Sequence, residues 1–183
     1  MRRRSDRGFT VLELMNALAL TCVVATLGMY AAARWVRHSR AAEAVGSVQA
    51  LGMAAAAYYD TSDRDQPAGT KVEQARAMRH FPPRSRASVP PDLEDVKGKR
   101  YQSTFADWST SPWIELRFTM GQAQYYAYSF EASGQGKEAK ATAIAHGDLN
   151  GDGNLSTFSL TVAPDDGFKA VVSPKVEREN AEE

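Results

Sequence analysis

The chain has 183 residues, with 22 basic and 22 acidic side chains and a single cysteine. That length holds one ordinary domain plus a membrane segment. One cysteine excludes an intrachain disulfide, and a balanced charge gives no reason to expect general nucleic-acid binding. The balance hides an asymmetry: residues 1–8 carry four Arg against one Asp, which leaves the rest of the chain slightly acidic.

Residues 1–8 read as a short basic leader. Residues 9–33 follow as an apolar run whose only formally charged side chain is Glu13. As a helix this run is about 37 Å long at about 1.5 Å per residue, enough to cross a hydrocarbon core of about 30 Å. A cleaved secretory signal has a shorter apolar region, about 7–15 residues. The run ends at Arg34-Trp35-Val36-Arg37, an aromatic and basic pairing typical of a membrane–water boundary. It is therefore read as a retained, single-pass transmembrane helix. Arg2, Arg3, Arg4 and Arg7 precede it and Arg34, Arg37 and Arg40 follow it, so charge alone does not orient it. An acid at the centre of such a helix costs roughly 2.5–3.5 kcal/mol, so a partner for Glu13 is the natural functional hypothesis.

Residues 34–60 continue as an amphipathic half of the same helix. Ala41, Val45, Val48, Ala55 and Tyr59 recur at the spacing of one helix face, and no proline occurs before Pro67 to force a break. Residues 61–112 read as an irregular connection with a short helix from 71 to 80, closed by Pro82-Pro83. The stretch 84–100 carries Arg84, Arg86, Lys97, Lys99 and Arg100. It reads as a solvated charged loop, with contact to DNA or lipid phosphates as the alternative.

Residues 113–183 read as an antiparallel sheet and a tail. Alternation predicts strands over 113–120, 126–132, 141–146 and 155–162, with an edge strand at Val171-Val172 and a frayed, charged end from 174. One face of this meander is apolar and needs a cover, and the second half of the long helix is the adequate candidate. The expected fold class is α+β: a long N-terminal helix packed on a small antiparallel β-meander. Trp108, Trp113, Tyr125, Tyr126 and Tyr128 read as packing between sheet and helix rather than as a ligand platform.

From residue 146 the chain runs His-Gly-Asp-Leu-Asn-Gly-Asp-Gly-Asn-Leu-Ser. Asp148, Asn150 and Asp152 have the alternating oxygen spacing of a calcium loop, with Gly153 at the sharp turn and Asn154 and Ser156 able to follow as ligands. The expected bidentate Glu is missing, since Ser159 stands there; Asp165 or Asp166 is a candidate substitute. A plain hairpin turn is the equal alternative, because Asn-Gly and Asp-Gly are turn signals by themselves. His80 and His146 have no cysteine partner to suggest zinc, and His146 reads as an exposed strand-end residue. No serine stands in a nucleophile elbow and no glycine-rich phosphate loop occurs, so an enzyme is not expected.

The stretch Arg7-Gly8-Phe9-Thr10-Val11-Leu12-Glu13-Leu14-Met15 resembles the processing site of type IV pilins and of the pseudopilins of type II secretion. The match is a basic leader, a Gly, an aromatic residue, a Thr, and a Glu at the start of an apolar helix. The resemblance implies that a prepilin peptidase cuts between Gly8 and Phe9 on the cytoplasmic face of a bacterial inner membrane and methylates the new amine of Phe9. It implies that Glu13 meets the N-terminal amine of a neighbouring pilin or pseudopilin subunit during assembly into a periplasmic or cell-surface filament. It also makes calcium at 148–156 relevant, since some members bind it in this part of the domain. The chain departs from many pilins in having no proline in the apolar run, where it keeps Gly28, and no C-terminal disulfide. The lack of proline in the helix and the modest size of the domain favour a minor pilin or a secretion pseudopilin over a major subunit. A DNA-uptake subunit using the 84–100 loop stays open.

Overall fold

The computed structural model describes residues 9–64, 67 and 70–181. Its first element is one uninterrupted helix, α1, Val11–Thr61, 51 residues long. Alanine-rich composition and the absence of proline favour such a continuous helix. The chain divides between His38 and Ser39 into two compact units, and α1 contributes to both.

From 11 to 36 the helix buries nothing. Every side chain from 9 to 36 is exposed, including Leu12, Val24, Leu27 and Trp35. An exposed helix that is apolar all round is suited to lipid or to other apolar helices rather than to water. It is the one helix among the described residues long and apolar enough to cross a membrane.

In the second unit the same helix has a buried stripe: Ala41, Ala44, Val48, Leu51, Gly52, Ala55 and Tyr59. It packs on an antiparallel sheet of five strands: β1 (Ala127–Ser133), β2 (Lys140–Gly147), β3 (Ser156–Pro164), β4 (Ala170–Val172) and β5 (Glu177–Glu179). The order is β1-β2-β3-β4, with β5 also paired to β3. Phe130 faces Ala143 and Ala143 faces Leu160, so alternate residues of three strands line one buried face. Small residues set the helix–sheet distance. A Cβ on Gly52 would lie 2.7 Å from Leu160 Cδ2 and 3.3 Å from Val172 Cγ1, so only hydrogen fits there without a shift. At the helix end Tyr59 donates a 2.7 Å hydrogen bond to the Gly136 carbonyl. Arg79 donates to Asp63 Oδ2 at 2.9 and 2.7 Å and to the Phe168 carbonyl at 2.8 Å. Asp60 accepts the Ala170 N–H at 2.9 Å.

The long helix, the helix over 71–80 (α2, Val72–Ala77) and the strands β1 to β4 follow the sequence pattern. Three details differ. The strand expected over 113–120 is a single helical turn, α3 (Trp113–Leu116), ended by Arg117 in a left-handed conformation, so the sheet begins only at Ala127. Trp113 and Leu116 are buried and Ile114 is exposed. That is the i, i+3 spacing of a helix, which the alternating reading of Ile114, Leu116, Phe118 and Met120 obscured. Trp113 instead joins Trp108, Phe118 and Tyr128 in a cluster of edge-to-face and tilted rings with centroids 5.1 to 6.5 Å apart. Second, part of the expected frayed tail is β5, held by buried Val176 and by pairing of Arg178 with Phe158. Third, His146 is half-buried within β2, with Nδ1 2.9 Å from Thr157 Oγ1, and burial pushes its pKa below the ordinary histidine value.

Candidate functional site

The polar step at the start of α1 is built from Thr10 and Glu13. Thr10 donates from both its backbone N–H and its hydroxyl to Glu13 Oε2, each at 2.9 Å, and its Oγ1 accepts the Glu13 N–H at 3.2 Å. This is a reciprocal capping box, satisfying two donors that a helix start leaves without intrahelical partners. Glu13 therefore has a partner inside its own chain, which the reading of a lone membrane acid overlooked. The signal was present: Thr10-Val11-Leu12-Glu13 has the Thr-x-x-Glu spacing of the motif. The cap engages Oε2 only, and Oε1 makes no hydrogen bond among the described residues. The step can thus fix a carboxylate in one orientation and still present an oxygen to a second donor. Phe9, next to it, is 84% exposed. Gly8 lies outside the described residues.

The second half of α1 has an outer face as well as a buried one. Its exposed positions between 41 and 59 are Ala42, Gly46, Gln49, Ala50, Met53 and Ala57. None is charged, although a water-facing helix surface ordinarily carries charges. The acid within this stretch, Glu43, turns toward the sheet. Its Oε1 accepts the Tyr125 N–H at 2.9 Å and the Tyr128 hydroxyl at 3.3 Å. Burial pushes its pKa above the ordinary carboxylate value, opposed by those hydrogen bonds and by Arg100. Arg40 and Arg100 both stack on the Tyr125 ring, at 4.6 and 4.9 Å.

The loop between β2 and β3 brings together the residues with calcium-ligand spacing. Asp148 is 1% exposed and accepts the Gly151 N–H at 2.7 Å and the Gly153 N–H at 2.8 Å. Asn150 Oδ1 accepts the Asp152 N–H, and Asp152 Oδ1 accepts the Asn154 N–H, at 2.9 and 2.8 Å. Ser156 is buried and donates to the Gly147 carbonyl at 2.9 Å. These bonds define the turn. No cluster of three His, Cys, Asp or Glu side chains with metal-holding geometry occurs among the described residues. Asp165 is engaged elsewhere, accepting the Gly167 and Lys169 N–H groups in the β3–β4 turn.

The basic residues of 84–100 separate into two places. Lys97 pairs with Glu94 at 3.3 Å, Lys99 with Asp95 at 3.8 Å, and Arg100 lies on Tyr125. Arg84 and Arg86 lie instead beside β1, where they line hollows with strand residues. Compared with protein families, with curated proteins and with solved structures, the chain gives no match.

Proposed function

We propose that this chain is a structural subunit of a type IV pilus-type filament, of the minor pilin or pseudopilin kind, and not an enzyme. The observation that carries the reading is Glu13: one carboxylate in an apolar helical run, residues 9–33, that is otherwise uncharged and wholly exposed, held by Thr10 with one oxygen left over. In hydrocarbon such an oxygen is tolerable when a cation closes on it. Cutting between Gly8 and Phe9 creates that cation as the amine of Phe9, and removes the leader arginines from the same end. The pair then closes between neighbouring subunits and sets their register. Contacts of this head-to-tail kind do not close on themselves, and so build a helical filament. The uncharged outer face of α1 from Ala42 to Ala57 supports the same reading as further surface for helix packing. Before assembly the subunit resides in a bacterial inner membrane; afterwards its second unit belongs to a periplasmic or surface filament.

Intact mass of the protein extracted from membranes tests this most directly. A chain beginning at Phe9 and carrying one methyl group is expected, and Gly8→Leu should keep the leader. A native chain that retains residues 1–8 ends the proposal.

Calcium at 148–156 belongs to this reading as a lesser part. A carboxylate offers about four lone-pair sites, and Asp148 uses two of them on amides. Asp148, Asn150 and Asp152 would hold the ion, which would supply charge neutralisation to the turn. Calcium should then raise the melting temperature of the wild type, and Asp152→Asn should abolish the rise. Coincident wild-type melting curves with and without calcium remove the metal.

A further inference from the structure

Asparagine or aspartate stands directly before glycine three times in the chain, at Asn150-Gly151, Asp152-Gly153 and Asp166-Gly167. Such pairs carry their own chemistry. Glycine has no Cβ to keep its amide nitrogen away from the preceding side chain, so that nitrogen can attack the side-chain carbonyl carbon and close a cyclic imide. In this fold all three glycine amides already donate to an aspartate upstream. Gly151 and Gly153 donate to the two oxygens of Asp148, at 2.7 and 2.8 Å, and Gly167 donates to Asp165 Oδ1 at 2.9 Å.

The two holders differ. Asp165 is exposed on its turn, whereas Asp148 is buried just after β2. Asp148 is also fixed through its backbone, its carbonyl accepting the Gly98 N–H at 2.7 Å. The Asn150 side chain is held by a different residue. Its Oδ1 accepts the Asp152 N–H at 2.9 Å and its Nδ2 donates to Asp152 Oδ2 at 3.1 Å. The nitrogen that would attack and the carbon it would attack are thus tied to separate partners.

We propose that Asn150 is a site of spontaneous deamidation held in check by Asp148. In the step, the Gly151 nitrogen gives its proton to hydroxide and bonds to Asn150 Cγ. The Cγ–Nδ2 bond then breaks, and Nδ2 takes a proton from water and leaves as ammonia. Water opens the imide at either carbonyl, which leaves aspartate or isoaspartate at position 150; a water is consumed for each ammonia released. Asp148 opposes the first event twice. Its charge disfavours a second negative charge on the nitrogen it touches, and its hydrogen bond must break before that nitrogen can turn toward Cγ. Asp152 and Asp166 react more slowly, because an ionised carboxylate repels the incoming nitrogen anion. The product alters the fold locally. Isoaspartate adds a carbon to the backbone at 150, and Gly98 lies against the next residue: a Cβ on Gly98 would stand 3.5 Å from Gly151 Cα. Modification therefore loosens the seat of residues 97–98 on the sheet. The inference is independent of processing, assembly and calcium.

Mass spectrometry of the full-length protein, aged at neutral pH in detergent micelles with a chelator present, tests it. Tryptic cleavage after Lys140 and Lys169 isolates residues 141–169, and fragmentation assigns each amide-to-acid mass gain to its position. Asp148→Asn keeps the shape and loses the charge. Its Asn150 should deamidate roughly 10- to 100-fold faster than in the wild type, the rate equivalent of one hydrogen bond to a charged group. Ser156→Ala removes the hydroxyl bond to the Gly147 carbonyl in the same loop and leaves the Gly151 amide alone; its rate should match the wild type. Where Asp148→Asn does not fold, wild type aged in urea decides, and its Asn150 should react faster than in the fold by a similar factor. Equal rates in Asp148→Asn and wild type, or in folded and unfolded wild type, overturn the proposal. A slower Asp148→Asn does so too, since it makes the carboxylate the base that takes the Gly151 proton. Equal acceleration by Ser156→Ala also overturns it, by assigning the check to the loop as a whole.

Discussion

The two halves of α1 are one helix by hydrogen bonding and two different objects by burial. From 11 to 36 every residue is exposed and nearly every one is apolar; from 41 to 59 a regular stripe is buried on a sheet. Backbone propensity serves both alike, so what separates them is the partner each side chain requires. The second half finds its partner within the chain. The first half does not, and an exposed apolar surface of that extent calls for lipid or for other helices. A continuous helix can therefore carry two independent instructions, one for folding and one for association.

The sharpest way to break this comparison is at Glu13. Glu13→Ala should abolish incorporation into filaments, scored by shearing and immunoblot, while the melting temperature of the second unit stays where it was. Glu13→Gln separates two roles. A glutamine still serves a capping box but cannot pair with an ammonium, so both variants should fail equally. Rescue by Gln would make the cap, not the charge, the function of the residue.

Next comes a matched pair of truncations. Leu51 is fully buried and Leu20 is 67% exposed. Leu51→Ala should cost about 2–5 kcal/mol in urea unfolding of the second unit, whereas Leu20→Ala should leave that midpoint unmoved. Equal effects would mean that the halves are not energetically separate. Gly52→Ala should cost less, about 1–3 kcal/mol, because the terminal methyl of Leu160 can yield part of the overlap.

The smallest effect concerns Glu43. Its pKa in the fold is raised above the model-peptide value of 4.5, chiefly by burial. Below that value the carboxyl is protonated in both states and costs nothing. As pH rises through 4.5 and then through the raised folded pKa, the unfolded chain ionises first and stability falls. Glu43→Gln should remove this loss. The stability difference, variant minus wild type, should increase with pH and level off above the folded pKa; a difference that does not change with pH would show that the hydrogen bonds from Tyr125 and Tyr128 offset the burial.

Much of this architecture was legible from periodicity. The helix pattern and the alternation in β1 to β3 stand where hydrophobic spacing put them. Short elements were not. Four residues around Trp113 fit a strand and a helical turn equally well, and tertiary burial of the Trp113 and Leu116 side chains decided between them. β5 lay hidden because Glu177, Arg178 and Glu179 are charged and their pairing depends on a neighbouring strand already in place. At the candidate site, the importance of Glu13 was visible from its surroundings, while its bond to Thr10 follows from a local motif masked by the larger puzzle of an acid in an apolar run. The basic stretch 84–100 was legible but its division was not: Arg84 and Arg86 come to lie beside β1 only once the 84–89 segment is fastened along the strand, while Lys97 and Lys99 pair with Glu94 and Asp95.

The buried stripe of α1 runs from Ala41 to Tyr59, some 27 Å along the helix at about 1.5 Å per residue. At its far end stand the Tyr59 bond to Gly136 and the Arg79 clasp on Asp63 and Phe168. Tension applied to the second unit through Ser39 therefore loads this seam in shear. All the interlocked side chains must slip together, and the polar anchors at Tyr59 and Arg79 lie furthest from the pull. A subunit tethered this way resists being drawn out of its own domain far better than one peeled away contact by contact.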